Sequence, residues 1–326
     1  MQSTAAPDWL AGLARQHPDV FGASSGPLAE MEVPPASSHE SRVYGADVPR
    51  VHVKFFRRTL GRTGVTYDPC REMLSEYGIL REFEKNGFAS GRHRVVRALG
   101  VNEGLDCALA TAYVPGESLL SIVQRTLNGG EDRELLSALD LTAGLLRKIH
   151  TLMPQSPKVD GADTFYSFMK PLFYLEDQGA LDGSHRRIMK GLSRWHGRRP
   201  LFEQRGVTVH GDANPSNFKI HEGIIYGFDL ERSRPGRSPL LDVGTMVAEL
   251  QHQCGYITKD MRRAGPYVEH FLHAYAPSAL ESDMIEGLLP FYVALGFFKI
   301  AMLGYWKRDY RRYLVEAGAR LIEEGP

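Results

Sequence analysis

His210-Gly211-Asp212-Ala213-Asn214-Pro215-Ser216-Asn217-Phe218 and, after a short β-turn-β element, Gly227-Phe228-Asp229-Leu230-Glu231 are the stretch from which the rest of the chain is read. Short apolar β runs at 207–209, 218–220 and 224–228 frame it. A loop that leaves one strand and returns as another is expected to hold the Asp212 and Asn217 side chains in one mouth, and the next hairpin to bring Asp229 alongside. Gly211 permits backbone conformations that a β-carbon opposes, and Pro215 stiffens the loop. Each polar residue type here suits phosphoryl transfer. A hydroxyl attacking a γ-phosphoryl group must lose its proton, which asks for a carboxylate such as Asp212. Magnesium is a hard cation that prefers oxygen ligands, and Asn217 and Asp229 supply them.

The pattern H-G-D-x-x-x-x-N, a hydrophobic strand and then F-D-x-E resembles the catalytic and metal-binding signature of the aminoglycoside phosphotransferase and choline kinase-like superfamily, whose logic protein kinases share distantly. The resemblance implies Asp212 as catalytic base, Asn217 and Asp229 as magnesium ligands, Glu231 as a residue near the metal or the acceptor, and a structural role for His210. It also implies ATP and Mg2+ as cofactors. The fold implied is α+β, bilobal and protein-kinase-like. Residues 1–113 would form a small nucleotide-binding lobe with a five-stranded antiparallel sheet and one helix. Residues 114–326 would form a larger, mostly helical catalytic and acceptor-binding lobe.

Upstream segments fit that frame. The strands are expected at 28–33, 41–44, 50–55, 95–98 and 108–113, and Pro69 opens a helix whose apolar residues Met73, Tyr77, Leu80 and Phe83 recur at helical spacing. Lys54 stands in the apolar run Val51-His52-Val53-Lys54-Phe55-Phe56, where kinases place the lysine that holds the α- and β-phosphates. Its helical partner is expected to be Glu76, with Glu72 one turn earlier as the alternative. Residues 110–119 resemble the family's inter-lobe hinge, so Thr111 and Tyr113 are assigned to the nucleotide. Asp242 matches an aspartate that braces the catalytic loop, a plain helix cap being the other reading. His150 is read as structural. The loop Ala36-Ser37-Ser38-His39-Glu40-Ser41, expected over the phosphates, contains no glycine, so hydroxyls and backbone amides would make those contacts.

Composition narrows the function classes. Lys plus Arg and Asp plus Glu are equal at 39 each, which removes the global attraction that nucleic-acid binding draws on. The apolar stretch 287–305 is interrupted by Pro290 and Lys299 and is short for a membrane span, so it is read as a buried core helix. Cys70, Cys107 and Cys254 are widely separated, and neither a disulfide framework nor a thiolate zinc site is expected; a reducing, cytoplasmic setting fits. Residues 1–21 do not read as a signal peptide.

Only a dozen residues separate Asp229 from Asp242, with no peptide-docking anchor after them, which favours a small hydroxyl acceptor over a protein. Arg232, Arg234 and Arg237 suggest a neutral or anionic acceptor, unless nearby acids take up their charge. Aromatic residues of 164–176 and Tyr256 fall where the family builds acceptor pockets, although such side chains also build cores. The rival function is a non-catalytic nucleotide-binding module, pseudokinase-like, in which the lysine, the base or a metal ligand is usually missing.

Overall fold

Val51, Val53 and Phe55 alternate along an 11-residue strand, and the side chains between them, His52, Lys54 and Phe56, belong to its opposite face. That strand organises the first of two compact units in the computed structural model, which describes residues 5–22, 27–31, 39–59, 67–181, 183–276 and 279–324. The first unit comprises Met1–Gly116 with His221–Glu231, and the second Glu117–Ile220 with Arg232–Pro326.

In the first unit the chain runs through α1 (Ala5–Gln16), α2 (Pro18–Phe21), β1 (Ala29–Met31), β2 (His39–Gly45), β3 (Pro49–Thr59), α3 (Pro69–Phe83), β4 (His93–Val95), β5 (Ala98–Asn102) and β6 (Ala108–Ala112). An antiparallel five-stranded sheet forms in the order β1-β2-β3-β6-β5. Val51, Val53 and Phe55 pack with Leu10 and Leu13 of α1, Leu99 and Ala110, so the amphipathic opening helix covers that face. Helix α3 faces the other side. Asp68 caps it by accepting from the amides of Cys70 and Arg71, and Pro69 occupies its first turn. Its buried stripe is Met73, Glu76, Leu80 and Phe83: a carboxylate takes the place the apolar pattern gave to Tyr77.

Two expectations need correcting here. The fourth sheet strand lies at Ala98–Asn102 rather than 95–98, whereas His93–Val95 pairs in parallel with strand Ile224–Gly227. Gly100 lets β5 lie close to α1, since a β-carbon there would come within 2.9 Å of Leu13. The reading of the cysteines also fails, because Cys70 and Cys107 are joined in a disulfide that spans 37 residues. Spacing could not reveal it. The bond exists because the start of α3 lies over the turn into β6, with the two Cα atoms 5.1 Å apart. Residues 36–38 of the loop expected over the phosphates lie outside the described residues; His39, Glu40 and Ser41 open β2.

The second unit continues with β7 (Glu117–Ser118), α4 (Leu119–Leu127), α5 (Asp132–Leu152), α6 (Gly161–Asp177), α7 (His185–His196), α8 (Pro200–Glu203), β8 (Val207–Val209) and β9 (Phe218–His221). After β10 (Ile224–Gly227), whose segment belongs to the first unit, come β11 (Arg234–Arg237), α9 (Leu240–Thr258), α10 (Gly265–Tyr275), α11 (Ala279–Ala301) and α12 (Arg308–Glu324). β7 pairs with β9, and β8 with β11, both antiparallel. Its core is the packing of α11 on α9. A β-carbon on Gly296 would come within 2.5 Å of the Ala248 Cβ, and one on Gly244 within 2.5 Å of the Tyr292 Cβ. Phe291, Tyr292, Leu295 and Phe298 of α11 are buried. No helix among the described residues is long and apolar enough to cross a membrane.

Candidate functional site

Each unit carries one buried polar cluster built from the residues singled out above. In the first, β3 presents Lys54 to α3, and the ammonium donates to Glu76 Oε2 at 2.8 Å. Glu72, the alternative partner, is exposed. Asp229 and Glu231 follow β10 and complete the cluster, with Lys54 Nζ 3.4 Å from Asp229 Oδ1 and 3.7 Å from Glu231 Oε2. Asp229 has a left-handed backbone, φ 54°, a conformation rare for a residue with a β-carbon and one often kept at functional turns. Burial works against the charge of Lys54, but the three surrounding acids outweigh it and hold the ammonium well above the usual lysine range. Burial pushes Glu76 up, against the pull of Lys54. Oxygens of Glu76, Asp229 and Glu231 lie within 4.8 Å of one another, a set of hard donors whose negative charge exceeds that of the single lysine and which therefore suits a divalent cation.

The second cluster holds the loop after β8. Asp242, in the first turn of α9, accepts from the His210 amide at 2.6 Å and from the Gly211 amide at 2.9 Å. His150, near the end of α5, contacts the same carboxylate at 3.0 Å through Nε2, while its Nδ1 lies 2.7 Å from the Tyr275 hydroxyl. An imidazole that donates from Nε2 and accepts at Nδ1 satisfies both. Asp242 thus braces the loop backbone, and the plain cap reading does not apply. Burial disfavours its charge, yet His150 and the loop amides more than compensate and hold the carboxyl below the ordinary aspartate range.

From that brace the loop builds outward. Gly211 has φ 86°, and a β-carbon there would collide with the Arg232 carbonyl, so this position requires glycine. The Asp212 amide donates to His210 Nδ1 at 3.4 Å, and the buried His210 ring lies 5.2 Å from the Phe218 ring. The Asp212 carbonyl accepts from the Asn214 amide at 2.8 Å and from the Asn217 side-chain nitrogen at 2.9 Å. Asp212 and Asn217 are therefore fixed together, with the Asn217 amide oriented by the backbone of Asp212.

The remaining expected residues are placed as follows. Thr111 is buried on β6 with its hydroxyl 3.5 Å from the His52 carbonyl, and the Tyr113 amide donates to Arg50 O at 2.8 Å. Arg234 and Arg237 both engage Asp163 of α6, one carboxylate shared between two guanidinium groups. On α6, Phe165 and Phe168 enter the aromatic core with Phe291, whereas Tyr166 and Phe173 are exposed. Tyr256 packs with His252, Trp306 and Tyr310. Glu249 and Lys299 were missed, though both lie in the electrostatic field of Asp212. A signal was available in each case. Glu249 stands seven residues after Asp242 on α9, and Lys299 interrupts the otherwise apolar stretch 287–301 of α11.

With this geometry in place, comparison with known proteins gives a consistent result. A family model described as the phosphotransferase enzyme family (APH) matches residues 46–282. Among curated proteins none matches. Among solved structures, the chain is similar to APH(2")-IIa in its gentamicin complex, with a TM-score of 0.57, 14% identity, and 99% of this chain and 96% of that one covered. A thermostable mutant of aminoglycoside phosphotransferase APH(4)-Ia, in a ternary complex with AMP-PNP and hygromycin B, gives a TM-score of 0.54 at 14% identity over 98% and 99% of the two chains. Amicoumacin kinase hAmiN, in complex with AMP-PNP, Ca2+ and Ami, gives 0.54 at 16% identity over 97% and 94%. At such identities the likeness is one of fold, and the fold is that of the protein-kinase-like small-molecule kinases.

Proposed function

The chain belongs to the phosphotransferase enzyme family, and from that membership we propose that it moves the γ-phosphoryl group of ATP, with magnesium, to a hydroxyl of a small molecule. The observation that carries this reading is the buried Lys54 cluster. One ammonium faces three carboxylates, an arrangement with an excess of negative charge that a divalent cation would balance. Asp229 and Asn217 are the residues assigned to the metal, and the Asn217 nitrogen already donates to the loop backbone, so its oxygen is the atom left for a cation. Magnesium, when bound, neutralises charge on the polyphosphate.

Lys54 is assigned to the α- and β-phosphates, with Glu76 holding its ammonium in place, and Thr111 and Tyr113 belong to the hinge segment assigned to the nucleotide. Asp212 is the general base. As the acceptor oxygen bonds to the γ-phosphorus and the bond to the departing ADP oxygen breaks, the hydroxyl proton passes to the Asp212 carboxylate. Asp242 and His150 keep that carboxylate's loop fixed, which lowers the reorganisation needed during the reaction. A lysine, a base and both metal-ligand types are all present, which argues against the rival reading of a non-catalytic nucleotide-binding module.

One carboxylate, Asp163, holds both Arg234 and Arg237, so it offsets only part of the positive charge from which a neutral or anionic acceptor was inferred. Two of the similar structures carry gentamicin and hygromycin B, so aminoglycosides belong in the test. The test is a transfer assay with γ-labelled ATP and magnesium over pooled hydroxylated metabolites and aminoglycosides. A labelled, magnesium-dependent product is expected. Nucleotide binding without transfer to any acceptor, water included, would favour the scaffold instead.

A further inference from the structure

Two links fasten helix α3 to the sheet of the first unit. One is the hydrogen bond from Lys54 of β3 to Glu76. The other is the disulfide from Cys70, in the first turn of α3, to Cys107, the residue before β6. Both lead to the same stretch of β3, because the Phe56 amide donates to the Cys107 carbonyl at 3.2 Å and Phe56 stands two residues after Lys54. Side chains two apart on a strand share a face, and the Phe56 ring centre lies 4.9 Å from Lys54 Nζ. Along α3, Cys70 and Glu76 are about 9 Å apart at the rise of an α-helix. The covalent link therefore fixes where α3 begins, and with it where the Glu76 carboxylate meets the lysine.

The turn that carries Cys107 has to be held in place. Asp106 and Cys107 are both left-handed, each with φ 50°, a conformation that residues with a β-carbon rarely adopt. The disulfide holds one of these residues, and Arg58, 2.6 Å from Asp106 Oδ2, holds the other. Opening the bond removes the first restraint. The two sulfurs differ in access, since Cys70 is partly exposed and Cys107 fully buried, so a soluble thiol reaches the bond at Cys70. The Glu103 carbonyl lies 3.8 Å from Cys107 Sγ and can accept from the thiol that reduction leaves there. Helix α3 also has anchors that do not depend on the bond: the Tyr67 hydroxyl donates to the Phe56 carbonyl at 2.9 Å, and Met73, Leu80 and Phe83 form a buried stripe. The fold thus accommodates both oxidation states, with a looser helix start in the reduced one.

We propose that the Cys70–Cys107 bond is a redox latch on nucleotide binding. Closed, it keeps Glu76 where it orients Lys54; opened by thiol exchange, it releases the start of α3 and weakens the site. The inference rests on the reading of Lys54 as the lysine that holds the nucleotide's phosphates. In the exchange a thiolate of a dithiol attacks the Cys70 sulfur, the protein S–S bond breaks, and Cys107 leaves as a thiolate that takes a proton from solvent. The second thiol of the reductant then displaces Cys70, so the protein gains two thiols and the dithiol becomes a cyclic disulfide. Disulfides of reducing compartments are chiefly of this transient, regulatory kind.

The test compares the wild-type protein before and after treatment with dithiothreitol under native conditions, the open and closed bonds being counted by alkylation and mass spectrometry. Binding of a fluorescent ATP analogue with magnesium should weaken about 10-fold on reduction and recover on reoxidation with oxidised glutathione. Cys70→Ser should bind like the reduced protein and respond to neither reagent. Affinities within about twofold in the two states overturn the proposal. A bond that dithiothreitol opens only in denaturant, or a protein that unfolds once the bond is open, also overturns it, since either makes the bond a permanent staple.

A second measurement needs no nucleotide. Amide hydrogen exchange between Cys70 and Glu76 should quicken about 10-fold on reduction, while the amides of α9 in the second unit keep their rates. Equal rates along α3 in the two states overturn the proposal. Faster exchange there in a protein that binds nucleotide in neither state would sink the reading of Lys54 while leaving the redox control of α3 standing.

Discussion

Two buried acid–base clusters sit in the two units, and their charge counts run in opposite directions. At Asp242 one carboxylate meets three donors, from His210, Gly211 and His150, at 2.6, 2.9 and 3.0 Å. Its acceptors are satisfied, and its pKa falls despite burial. At Lys54 one ammonium meets three carboxylates at 2.8, 3.4 and 3.7 Å, and Glu76 is pushed up. The first cluster is complete as it stands and holds backbone in place. The second carries surplus negative charge, the property expected of a site finished by a ligand.

The largest effect should come from opening the complete cluster. Asp242→Ala strands two loop amides and His150, and removing one partner of a buried polar network of this kind costs about 3–5 kcal/mol. Urea denaturation should show that loss, with activity falling alongside. Asp242→Asn separates charge from shape. Because the folded pKa of Asp242 lies below the unfolded value, its ionisation stabilises the fold above the ordinary carboxylate pKa of about 3.9 and stops doing so as pH falls through the lowered value. The stability gap between wild type and Asp242→Asn should therefore be widest near neutral pH and narrow below about pH 4. A gap independent of pH would show that the charge is not what braces the loop.

The Lys54 cluster is held in another way. Helix α3, which carries Glu76, is tied to the start of β6 by the Cys70–Cys107 disulfide. Reduction, or Cys70→Ser, should lower the stability of the first unit by about 4 kcal/mol, the scale expected for closing a loop of this length. Denaturation with and without a dithiol reductant reads it directly, and identical curves would show that the bond contributes nothing.

How far the sequence was legible divides along the same line. The loop residues were visible because their chemistry is local: His210 to Asn217 sits in one stretch, and Gly211 requires its left-handed backbone for a steric reason that the residue type announces. Lys54 was visible as a charge in an apolar strand. Glu76 was narrowed only to a choice with Glu72, because which helix face turns inward depends on packing. The disulfide was illegible, since nothing in a 37-residue spacing says that a helix start will lie over a strand. The misplaced fourth strand came from Val95 and Val96, apolar residues on either side of a change of sheet. That an acid would meet Arg234 and Arg237 was foreseen only as an alternative, and which acid could not be read, because Asp163 lies on another element far back in the chain.

Next in size is Asp212→Ala, which removes the proposed base and leaves the brace behind it intact. Turnover should fall by about two or more orders of magnitude, the usual worth of a general base, equivalent to about 2.7 kcal/mol or more. The urea midpoint should stay near the wild-type value, since Asp212 takes part in the loop through its backbone amide and carbonyl. An equal loss of stability and turnover would move Asp212 from the chemistry to the scaffold.

The smallest effect, and the one that tests the contrast most directly, is expected for Glu76→Gln. Glutamine preserves volume and an oxygen that can accept from Lys54, while removing one charge from a cluster that has acids in excess. Lys54 keeps Asp229 and Glu231 as partners, so the fold should not suffer as it does when Asp242 is cut. Burying an amide is also easier than burying a carboxylate that its surroundings already push toward the neutral form. Stability should hold or rise slightly. The lysine, drawn less firmly toward α3, should hold nucleotide less well, and kcat/KM for ATP should fall about 10-fold, or about 1.4 kcal/mol. Steady-state kinetics and a denaturation curve on one preparation decide the matter. If Glu76→Gln unfolds the protein as readily as Asp242→Ala, the Lys54 cluster is a second structural brace, and its surplus charge has no ligand to explain it.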